Sequence, residues 1–455
     1  MKPFSRFSYA SLDALKADID QMGLPLPADS DTSILNTPVT VYGRTLSNRL
    51  AVHPMEGCDG EDDGSPSPLV LRRYERFARG GCALIWVEAC AVMRHARANP
   101  RQLWLHEGNV DRFKALTEKI RSDAKDEFGT DREVFLVLQL THSGRYSKPG
   151  DGPAIFARQS PYLDPYLPHV CEPHQITDEE IVQLEDRYAQ VAALAQQAGF
   201  DAIDLKACHG YLHNELLASF TREGPYGGSF ENRTRFALNT IKKIRAACNI
   251  NITMRLNAFD EIPYPYGWDT DPQDFHQPDL TEGKRLIRLL YENGVRLINL
   301  TGGNPYYNPH VNRPYDACYY TPPVHQLYGV NKLLQAAKEL KSAVPSDMMV
   351  ISTGYSWLRE FGANVAAGCI REGYCDIAGF GRQSFAYPDF AKDILSGKGM
   401  ERKKCCIACG KCSEIMRNGS TAGCVIRDAA LYAPIYKKSC EGKPAFDGSK
   451  IAEHV

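Results

Sequence analysis

Eight short apolar runs, separated by longer stretches with helical periodicity, constrain the fold of this chain more than any other feature of its sequence. The runs are rich in Val, Ile and Leu, and most follow an amphipathic stretch such as residues 178–200. Strands that are apolar on both faces and separated by helices predict a parallel sheet. Eight such units predict an α/β protein with a closed (β/α)8 TIM barrel, whose functional groups lie at the carboxyl ends of the strands. The runs are residues 50–55, 83–89, 134–140, 202–207, 252–258, 296–302, 348–354 and 375–381.

The 455 residues divide into three predicted segments. Residues 1–34 form an N-terminal leader with a short helix, residues 35–398 form the barrel, and residues 399–455 form a Cys-rich C-terminal extension. The alternating pattern of residues 39–54, with a glycine at the turn, predicts a hairpin that leads into the first core strand. A doubly wound parallel sheet is the alternative fold, but no G-x-G-x-x-G motif of a dinucleotide-binding turn follows any of the runs.

The composition is typical of a globular protein and excludes several functions. A net charge of −2 gives no basic surface for nucleic acid. No apolar run reaches the roughly 18 residues of a transmembrane helix, and the N-terminus lacks the apolar core of a signal peptide, so we expect a cytoplasmic protein without membrane contact. The 15 cysteines, an odd number, then favour buried thiols or metal ligands over disulfides.

Two long loops interrupt the alternation. Residues 259–279 follow the fifth predicted strand, residues 304–329 follow the sixth, and both are rich in Tyr and Pro. Loops of this length in a compact domain are usually lids or binding loops, which is the function we expect here. The alternative is that the two loops pack on each other or on a neighbouring subunit.

Polar groups at the predicted strand ends match the needs of flavin mononucleotide (FMN). The usual phosphate site of a barrel follows strands seven and eight, where this chain has Gly354, Gly381 and Arg382. Arg255 stands alone in the apolar fifth strand, where a cation would stabilise the negative charge of a reduced flavin ring. Gln139, in the third strand, can both donate to and accept from the pyrimidine edge of that ring. The barrel is therefore predicted to bind FMN.

Each of these signals has an alternative explanation. Arg255 could form a buried ion pair with another strand residue, and Gly381 with Arg382 could be a plain turn with a surface cation. A hydrolytic barrel is a competing function, because glycosidases need two facing carboxylates at strand ends. Hydrolysis would give no purpose to the two arginines, and their joint placement on the expected strands favours the flavin site.

Four cysteines of the C-terminal extension have the spacing C-x2-C-x2-C-x11-C. Thiolates packed this closely repel each other unless they are protonated or bind a metal. The spacing therefore indicates an iron–sulfur cluster or a tetrahedral zinc, with unliganded thiols as the third alternative. The predicted metal ligands are Cys406, Cys409, Cys412 and Cys424.

Residues 208–236, CHGYLHNELLASFTREGPYGGSFENRTRF, resemble the H-G-Y-L-x-N-x-F-L…Y-G-G-S-x-E-N-R segment of the Old Yellow Enzyme family almost throughout. The resemblance covers roughly residues 35–395, because further blocks match in order. These blocks are NRLAVHPM (48–55), RYERFARGG (73–81), VLQLTHSGR (137–145) and MRLNA (254–258). The resemblance implies an FMN-dependent ene-reductase of the NADH:flavin oxidoreductase type.

The resemblance also implies roles for residues that match the family's motifs. Tyr211 would donate a proton to the substrate, and His209 would hold the substrate carbonyl. Lys206 stands where the family usually has a histidine, and this compact cation could polarise the same carbonyl, pair with a substrate carboxylate or pair with Asp204. The residues implied to contact FMN are Pro54, Met55, Ala89, Gln139, Arg255, Gly354, Gly381 and Arg382.

The position of the cysteine segment resembles the [4Fe–4S] loop of the 2,4-dienoyl-CoA reductase and trimethylamine dehydrogenase branch. That branch uses C-x2-C-x3-C-x11-C, so this chain has one residue fewer in the middle spacer. With a cluster present, a separate redox protein such as a ferredoxin or a flavoprotein would deliver the electrons. Without a cluster, NAD(P)H would reduce FMN directly.

The function implied by the resemblance is reduction of the C=C bond of an α,β-unsaturated carbonyl compound, with hydride from flavin N5 and a proton from Tyr211. Two alternatives stay open: a flavin-dependent dehydrogenase of an amine or saturated substrate, and an electron-transfer flavoprotein. The expected partners are a small unsaturated molecule and an electron donor. A homo-oligomer is left open, and neither nucleic acid nor membrane is expected.

Overall fold

The computed structural model describes residues 1–148, 154–166, 174–317 and 320–443. Eight parallel strands close a barrel at its centre, which confirms the (β/α)8 fold predicted from the alternation. The strands of the described residues, in chain order, are β1 (Val39–Val41), β2 (Arg44–Leu46), β3 (Leu50–Val52), β4 (Leu84–Ala91), β5 (Phe135–Thr141), β6 (Ile155–Phe156), β7 (His174–Gln175), β8 (Ala202–Ala207), β9 (Asn251–Asn257), β10 (Leu297–Thr301), β11 (Met349–Ser352) and β12 (Ile377–Phe380).

The barrel strands follow each other in the order β3-β4-β5-β8-β9-β10-β11-β12, and the last strand pairs with the first. At this closure Ala378 is in register with Leu50, and Phe380 is in register with Val52. Each barrel strand lies within or overlaps one of the eight apolar runs. The runs are strands because their Val, Ile and Leu side chains are buried both in the barrel interior and beneath the helices.

Two short pairs of strands lie outside the barrel. β1 and β2 form the predicted antiparallel hairpin, with Val39 opposite Leu46. Its turn places Tyr42 and Gly43 at φ of 49° and 73°, a left-handed conformation that glycine adopts without strain. β6 and β7 form a two-residue parallel pair.

The helices alternate with the barrel strands, and several begin at the residues that the sequence favours. The Ser67 hydroxyl accepts hydrogen bonds from the first turn of its helix, whose first residue is Pro68. Thr177 and Glu180 form a capping box at another helix start. The α-helices of the described residues are α1 (Leu12–Gln21), α2 (Pro68–Ala78), α3 (Val110–Phe128), α4 (Asp178–Gln197), α5 (Leu212–Leu217), α6 (Phe230–Ala247), α7 (Thr281–Glu292), α8 (Pro309–Asn312), α9 (Gln326–Lys341), α10 (Gly362–Arg371), α11 (Arg382–Ala386), α12 (Phe390–Leu395), α13 (Lys411–Arg417) and α14 (Ala429–Cys440).

Ion pairs and a backbone contact hold the C-terminal extension against the barrel. The carboxylate of Asp428 accepts hydrogen bonds from both terminal nitrogens of Arg72, at 2.8 and 3.0 Å, and from Arg76 at 2.6 Å. The backbone N–H of Ala422 donates to the carbonyl oxygen of Gly57, 2.7 Å away in the loop after β3. The cysteine segment therefore lies beside the carboxyl ends of the barrel strands.

Among the helices of the described residues, none is both long and apolar enough to cross a membrane.

Candidate active site

A single cavity at the carboxyl ends of the strands is lined by residues from all eight barrel strands or from the segments that follow them. Its volume is about 1170 Å³, which includes space open to solvent. All of the residues predicted to contact FMN or to act in catalysis line this cavity: Pro54, Met55, Ala89, Gln139, Lys206, His209, Tyr211, Arg255, Gly354, Gly381 and Arg382.

Arg255, on β9, is buried in this cavity without a protein partner for its Nε atom among the described residues. Burial lowers the pKa of the guanidinium, and the nearby Cys208 and Asp204 act in the opposite direction. A guanidinium remains charged in proteins, and a buried charge is costly unless an opposite charge or hydrogen bonds compensate for it. Arg255 is therefore placed to meet a negatively charged ligand.

Gln139, on β5, uses its amide donor within the protein. Its Nε2 donates to Asp204 Oδ2 at 2.6 Å, and the indole Nε1 of Trp86 donates to the same oxygen at 2.9 Å. Burial raises the pKa of the Asp204 carboxyl to about 6, although these two hydrogen bonds lower it. The carbonyl oxygen and the second N–H of the Gln139 amide are left for a ligand, so the predicted donor and acceptor functions both stay open.

The predicted phosphate-binding residues lie together after β11 and β12. Gly354 has a φ of 116°, which other residues rarely adopt, and a Cβ atom on Gly381 would lie 3.1 Å from Met55 Sδ. Arg382 donates from Nη2 to the carbonyl oxygen of Pro314 at 2.7 Å. Its Nη1 is buried, and the described residues provide no hydrogen-bond acceptor for it. Glycine backbone and a cation with a free donor thus meet at this end of the cavity.

Lys206, in β8, and His209 and Tyr211, in the segment after β8, form one wall of the cavity. The ammonium Nζ of Lys206 lies 3.6 Å from the centroid of the Tyr211 ring. His209 has a left-handed backbone, with a φ of 67°, and its Nε2 lies 3.4 Å from Thr301 Oγ1. Burial lowers the pKa of Lys206 to about 8, lowers the pKa of His209 well below its usual value and raises the pKa of Tyr211 well above its usual value. At neutral pH the three groups are a cation, a neutral imidazole and a protonated phenol.

Tyr306 is the most direct partner of Tyr211, and the sequence did not single it out. The two hydroxyl oxygens lie 3.2 Å apart. The ring of Tyr306 stacks on Tyr146 with centroids 3.7 Å apart, and the Tyr146 hydroxyl accepts a hydrogen bond from Asn304 Nδ2 at 3.2 Å. The Tyr- and Pro-rich composition of residues 304–329 was the sequence signal for this contribution.

Three further charged residues, which the sequence did not assign to the flavin site, also line the cavity. Glu56, next to Met55, is the one carboxylate among the described residues that line it. Arg313 comes from the loop after β10, and Arg417, at the end of α13, donates to the carbonyl oxygen of Pro305 at 2.6 Å. The C-terminal extension therefore forms part of the wall of the cavity.

The two long loops lie differently with respect to the cavity. The loop of residues 304–329 lines the cavity, as expected for a binding loop. The loop of residues 259–279 contributes none of the described lining residues, and it packs against the other loop instead. Asn308 Nδ2 donates to the backbone oxygens of Asp260 and Glu261, both at 2.9 Å, and Ile262 packs against Tyr307. The loop of residues 259–279 therefore follows the alternative expectation, in which the two long loops pack on each other.

All four predicted metal ligands line a second, smaller cavity of about 380 Å³, a volume that includes space open to solvent: Cys406, Cys409, Cys412 and Cys424. Cys405, the neighbour of Cys406, does not line it, and its Sγ contacts the carbonyl oxygen of Glu401 instead. Three residues line both cavities, so the two spaces adjoin: Arg382, Phe385 and Cys412.

Backbone N–H groups point at two of these sulfur atoms. The N–H of Ala408 contacts Cys406 Sγ at 3.4 Å, and the N–H of Arg427 contacts Cys424 Sγ at 3.3 Å. Burial raises the pKa of Cys406 to about 12 and raises the pKa values of Cys409 and Cys424. Within the described ranges, no three His, Cys, Asp or Glu side chains form a group arranged to hold a metal ion.

Residues 34–270 match the family described as "NADH:flavin oxidoreductase / NADH oxidase family". The NADPH dehydrogenase of Bacillus velezensis is 34% identical over 276 residues, which are 59% of this chain and 73% of that protein. The NADH oxidase of Thermoanaerobacter brockii is 27% identical over 409 residues, which are 86% of this chain and 57% of that protein. This chain thus spans little more than half of the longer relative.

Two solved structures share the fold at low sequence identity. A 2-naphthoyl-CoA reductase complex has a TM-score of 0.70 at 19% identity, over 90% of this chain and 58% of its own. Morphinone reductase in complex with tetrahydroNAD has a TM-score of 0.61 at 20% identity, over 81% of this chain and 92% of its own. Fold, cavity and relatives together define a flavin-dependent oxidoreductase built on a (β/α)8 barrel. More specifically, the chain belongs to the NADH:flavin oxidoreductase / NADH oxidase family.

Proposed function

We propose that this protein reduces the C=C bond of an α,β-unsaturated carbonyl compound in an FMN-dependent reaction. The observation that carries the proposal is the position of Tyr211, Lys206 and His209 in the same cavity as Arg255 and Arg382. A proton donor and two groups that can polarise a carbonyl thus face the space that the flavin residues enclose.

The residues of the cavity fit FMN. Arg255 Nε and Arg382 Nη1 are buried donors without a partner in the described chain, and glycine backbone surrounds the second of them. Arg382, Gly354 and Gly381 would hold the phosphate, and Arg255 would lie at the negatively charged edge of the reduced ring. Bound FMN, once reduced, supplies the hydride for the alkene.

Tyr211 is proposed to donate a proton from Oη to the α-carbon of the alkene. Burial raises the pKa of this phenol, so the proton stays on the oxygen at neutral pH until a strongly basic carbon develops next to it. Tyr306 fixes the direction of the hydroxyl through the 3.2 Å contact and can return a proton to Tyr211 after the transfer. Stacking on Tyr146 holds Tyr306 in place.

Lys206 and His209 are proposed to stabilise the negative charge that develops on the carbonyl oxygen. The pKa of His209 lies well below its usual value, so the neutral imidazole can donate only one N–H. Lys206 adds a positive charge in its protonated form, although burial lowers its pKa to about 8. Preorganised donors in a cavity with little water lower the barrier more than the same donors in bulk solvent do.

For the second cavity, we propose a [4Fe–4S] cluster bound by Cys406, Cys409, Cys412 and Cys424. Four cysteines around one cavity, with N–H groups directed at two sulfur atoms, suit a cluster in which each thiolate binds a different iron. Such a cluster transfers single electrons. The walls shared with the larger cavity support electron transfer between an external donor and the flavin.

The names of the relatives support NADPH or NADH as a reductant, and a redox protein is the alternative donor. To test the function, the FMN-loaded protein is reduced anaerobically, mixed with cinnamaldehyde and followed by flavin absorbance and product analysis. Reoxidation of the flavin with formation of the saturated aldehyde is expected. A flavin that is reduced by amines but is not reoxidised by activated alkenes would favour the amine dehydrogenase instead.

A further inference from the structure

The ammonium group of Lys206 is a buried cation without a close protein counter-ion. The residue is only 5% exposed, and its side chain forms no hydrogen bond or ion pair within 4 Å in the described part of the chain. Its closest defined contact is the face of the Tyr211 ring, at 3.6 Å. A cation–π contact of this kind compensates for only part of the lost hydration of an ammonium ion.

The two neighbouring carboxylates form no ion pair with Lys206 in the described part of the chain. Asp204 Oδ2 accepts hydrogen bonds from Trp86 and Gln139, and Asp204 Oδ1 is buried without a hydrogen-bond partner among the described residues. Glu56 acts on Lys206 through its charge, but its Oε1 accepts from Asn99 Nδ2 at 2.8 Å, and it forms no ion pair with Lys206. The sequence alternative of a Lys206–Asp204 pair is therefore not found.

The cavity as a whole carries more positive than negative charge. Arg313 and Arg417 line the same space as Lys206, in addition to the two arginines proposed to hold the flavin, and Glu56 is the only carboxylate among the described lining residues. Among the described lining residues, cationic side chains therefore outnumber carboxylates. Such a surface favours a ligand that carries negative charge.

We propose that the activating group of the substrate is a carboxylate, bound by Lys206, so that the enzyme reduces α,β-unsaturated carboxylic acids. This inference rests on the proposed reduction of a conjugated C=C bond. It deepens that function by naming the substrate class.

The chemistry of the reaction explains why a cation is needed at this position. The C=C π bond breaks, the β-carbon gains a hydride with both electrons from the reduced flavin, and the α-carbon gains a proton from Tyr211. With an enone, hydride addition leaves one negative charge on the carbonyl group before protonation. With a carboxylate, the same step leaves two, and Lys206 would compensate for the second charge where neutral donors cannot.

The test compares two ligands that have nearly the same shape but differ in charge. Binding of trans-cinnamate and of cinnamamide to the oxidised, FMN-loaded protein is measured by isothermal titration calorimetry at pH 7. Wild type is expected to bind cinnamate at least about tenfold more tightly than cinnamamide. Lys206→Met is expected to remove this preference, and Lys206→Arg to retain most of it. Lys404→Met, on the surface, is the control that leaves both affinities unchanged.

Equal affinity of wild type for the two ligands, no binding of either ligand, or a preference for cinnamate that survives in Lys206→Met would overturn the proposal. The FMN content of each variant reports whether it has folded. Turnover of cinnamaldehyde separates this proposal from the wider one. Reduction of the aldehyde without a preference for the carboxylate leaves ene-reduction intact, whereas a preference for cinnamate without reduction of any alkene contradicts ene-reduction alone.

Discussion

The hydroxyl oxygens of Tyr211 and Tyr306 lie 3.2 Å apart, although 95 positions separate the two residues in the sequence. The contact joins the segment after β8 to the loop after β10 at the mouth of the barrel. Burial raises the pKa values of both phenols, to about 12 for Tyr306, so both are protonated at neutral pH. Two adjacent protonated phenols form a short path along which a proton can pass to the substrate.

Replacing Tyr211 by Phe removes the proposed proton donor and keeps the ring beneath Lys206. General acid catalysis typically contributes about 10²–10⁴-fold, so we expect the rate of alkene reduction to fall by roughly that factor. Reduction of the flavin by NAD(P)H should be unchanged, because that half-reaction uses no proton from Tyr211. Stopped-flow measurement of the two half-reactions tests this, and an unaltered rate of alkene reduction would exclude Tyr211 as the donor.

Replacing Tyr306 by Phe should have a smaller effect in the same half-reaction. The variant keeps the stacking on Tyr146 and loses one neutral hydrogen bond to Tyr211, worth about 1 kcal/mol. A loss of about fivefold in the rate of alkene reduction follows. A rate equal to that of wild type would mean that Tyr211 exchanges its proton directly with solvent.

Four cysteines that we propose as cluster ligands line the smaller cavity, whereas the neighbouring Cys405 does not line it. Cys409→Ser removes one of the four thiolates that line it, and we expect loss of iron, of acid-labile sulfide and of absorbance near about 400 nm. Cys405→Ser is the matched control, since Cys405 lies outside this cavity and should not affect the iron content. Iron assays on anaerobically purified protein decide the matter. Equal iron in both variants, or none in wild type, would contradict the cluster.

The preference for cinnamate over cinnamamide should decline as the pH rises through about 8, because burial lowers the pKa of Lys206 to about 8 and only the protonated form attracts a carboxylate. A bound carboxylate favours the ammonium form and moves the midpoint upward. Asp204 titrates near 6 and Cys208 near 11, outside this range. The ionisable groups that face Lys206 are Glu56, Asp204, Cys208, His209, Tyr211 and Arg255. A constant preference between pH 7 and 9.5 would contradict a charge on Lys206.

The barrel and the residues from its strands that line the cavity could be predicted from the sequence because they follow strong periodic signals. A lone arginine in an apolar strand, as Arg255 is, has few places to lie except the inside of the barrel or its mouth. Gly381 and Arg382 follow the last strand directly, so the position of that strand fixes theirs. In each case a local pattern determines the place of the residue.

Residues on irregular segments could not be assigned in this way. Tyr306 and Arg313 lie on a loop without periodicity, so the sequence does not tell which of its side chains face the cavity. Arg417 comes from the C-terminal extension and lines the cavity in a structure where several contacts, among them those of Arg72 and Arg76 with Asp428, hold that extension against the barrel. Contacts of this kind depend on tertiary packing between segments that are distant in sequence.

The central claim is that a flavin phosphate and a flavin ring occupy the mouth of the barrel. It is tested most directly by fluorescence titration of flavin-free protein with FMN and with riboflavin, which lacks the phosphate. We expect FMN to bind on the order of 100-fold more tightly, a difference of about 2.7 kcal/mol, and we expect Arg382→Gln to remove most of that difference. Equal affinity for the two flavins, or no binding of either, would contradict the account.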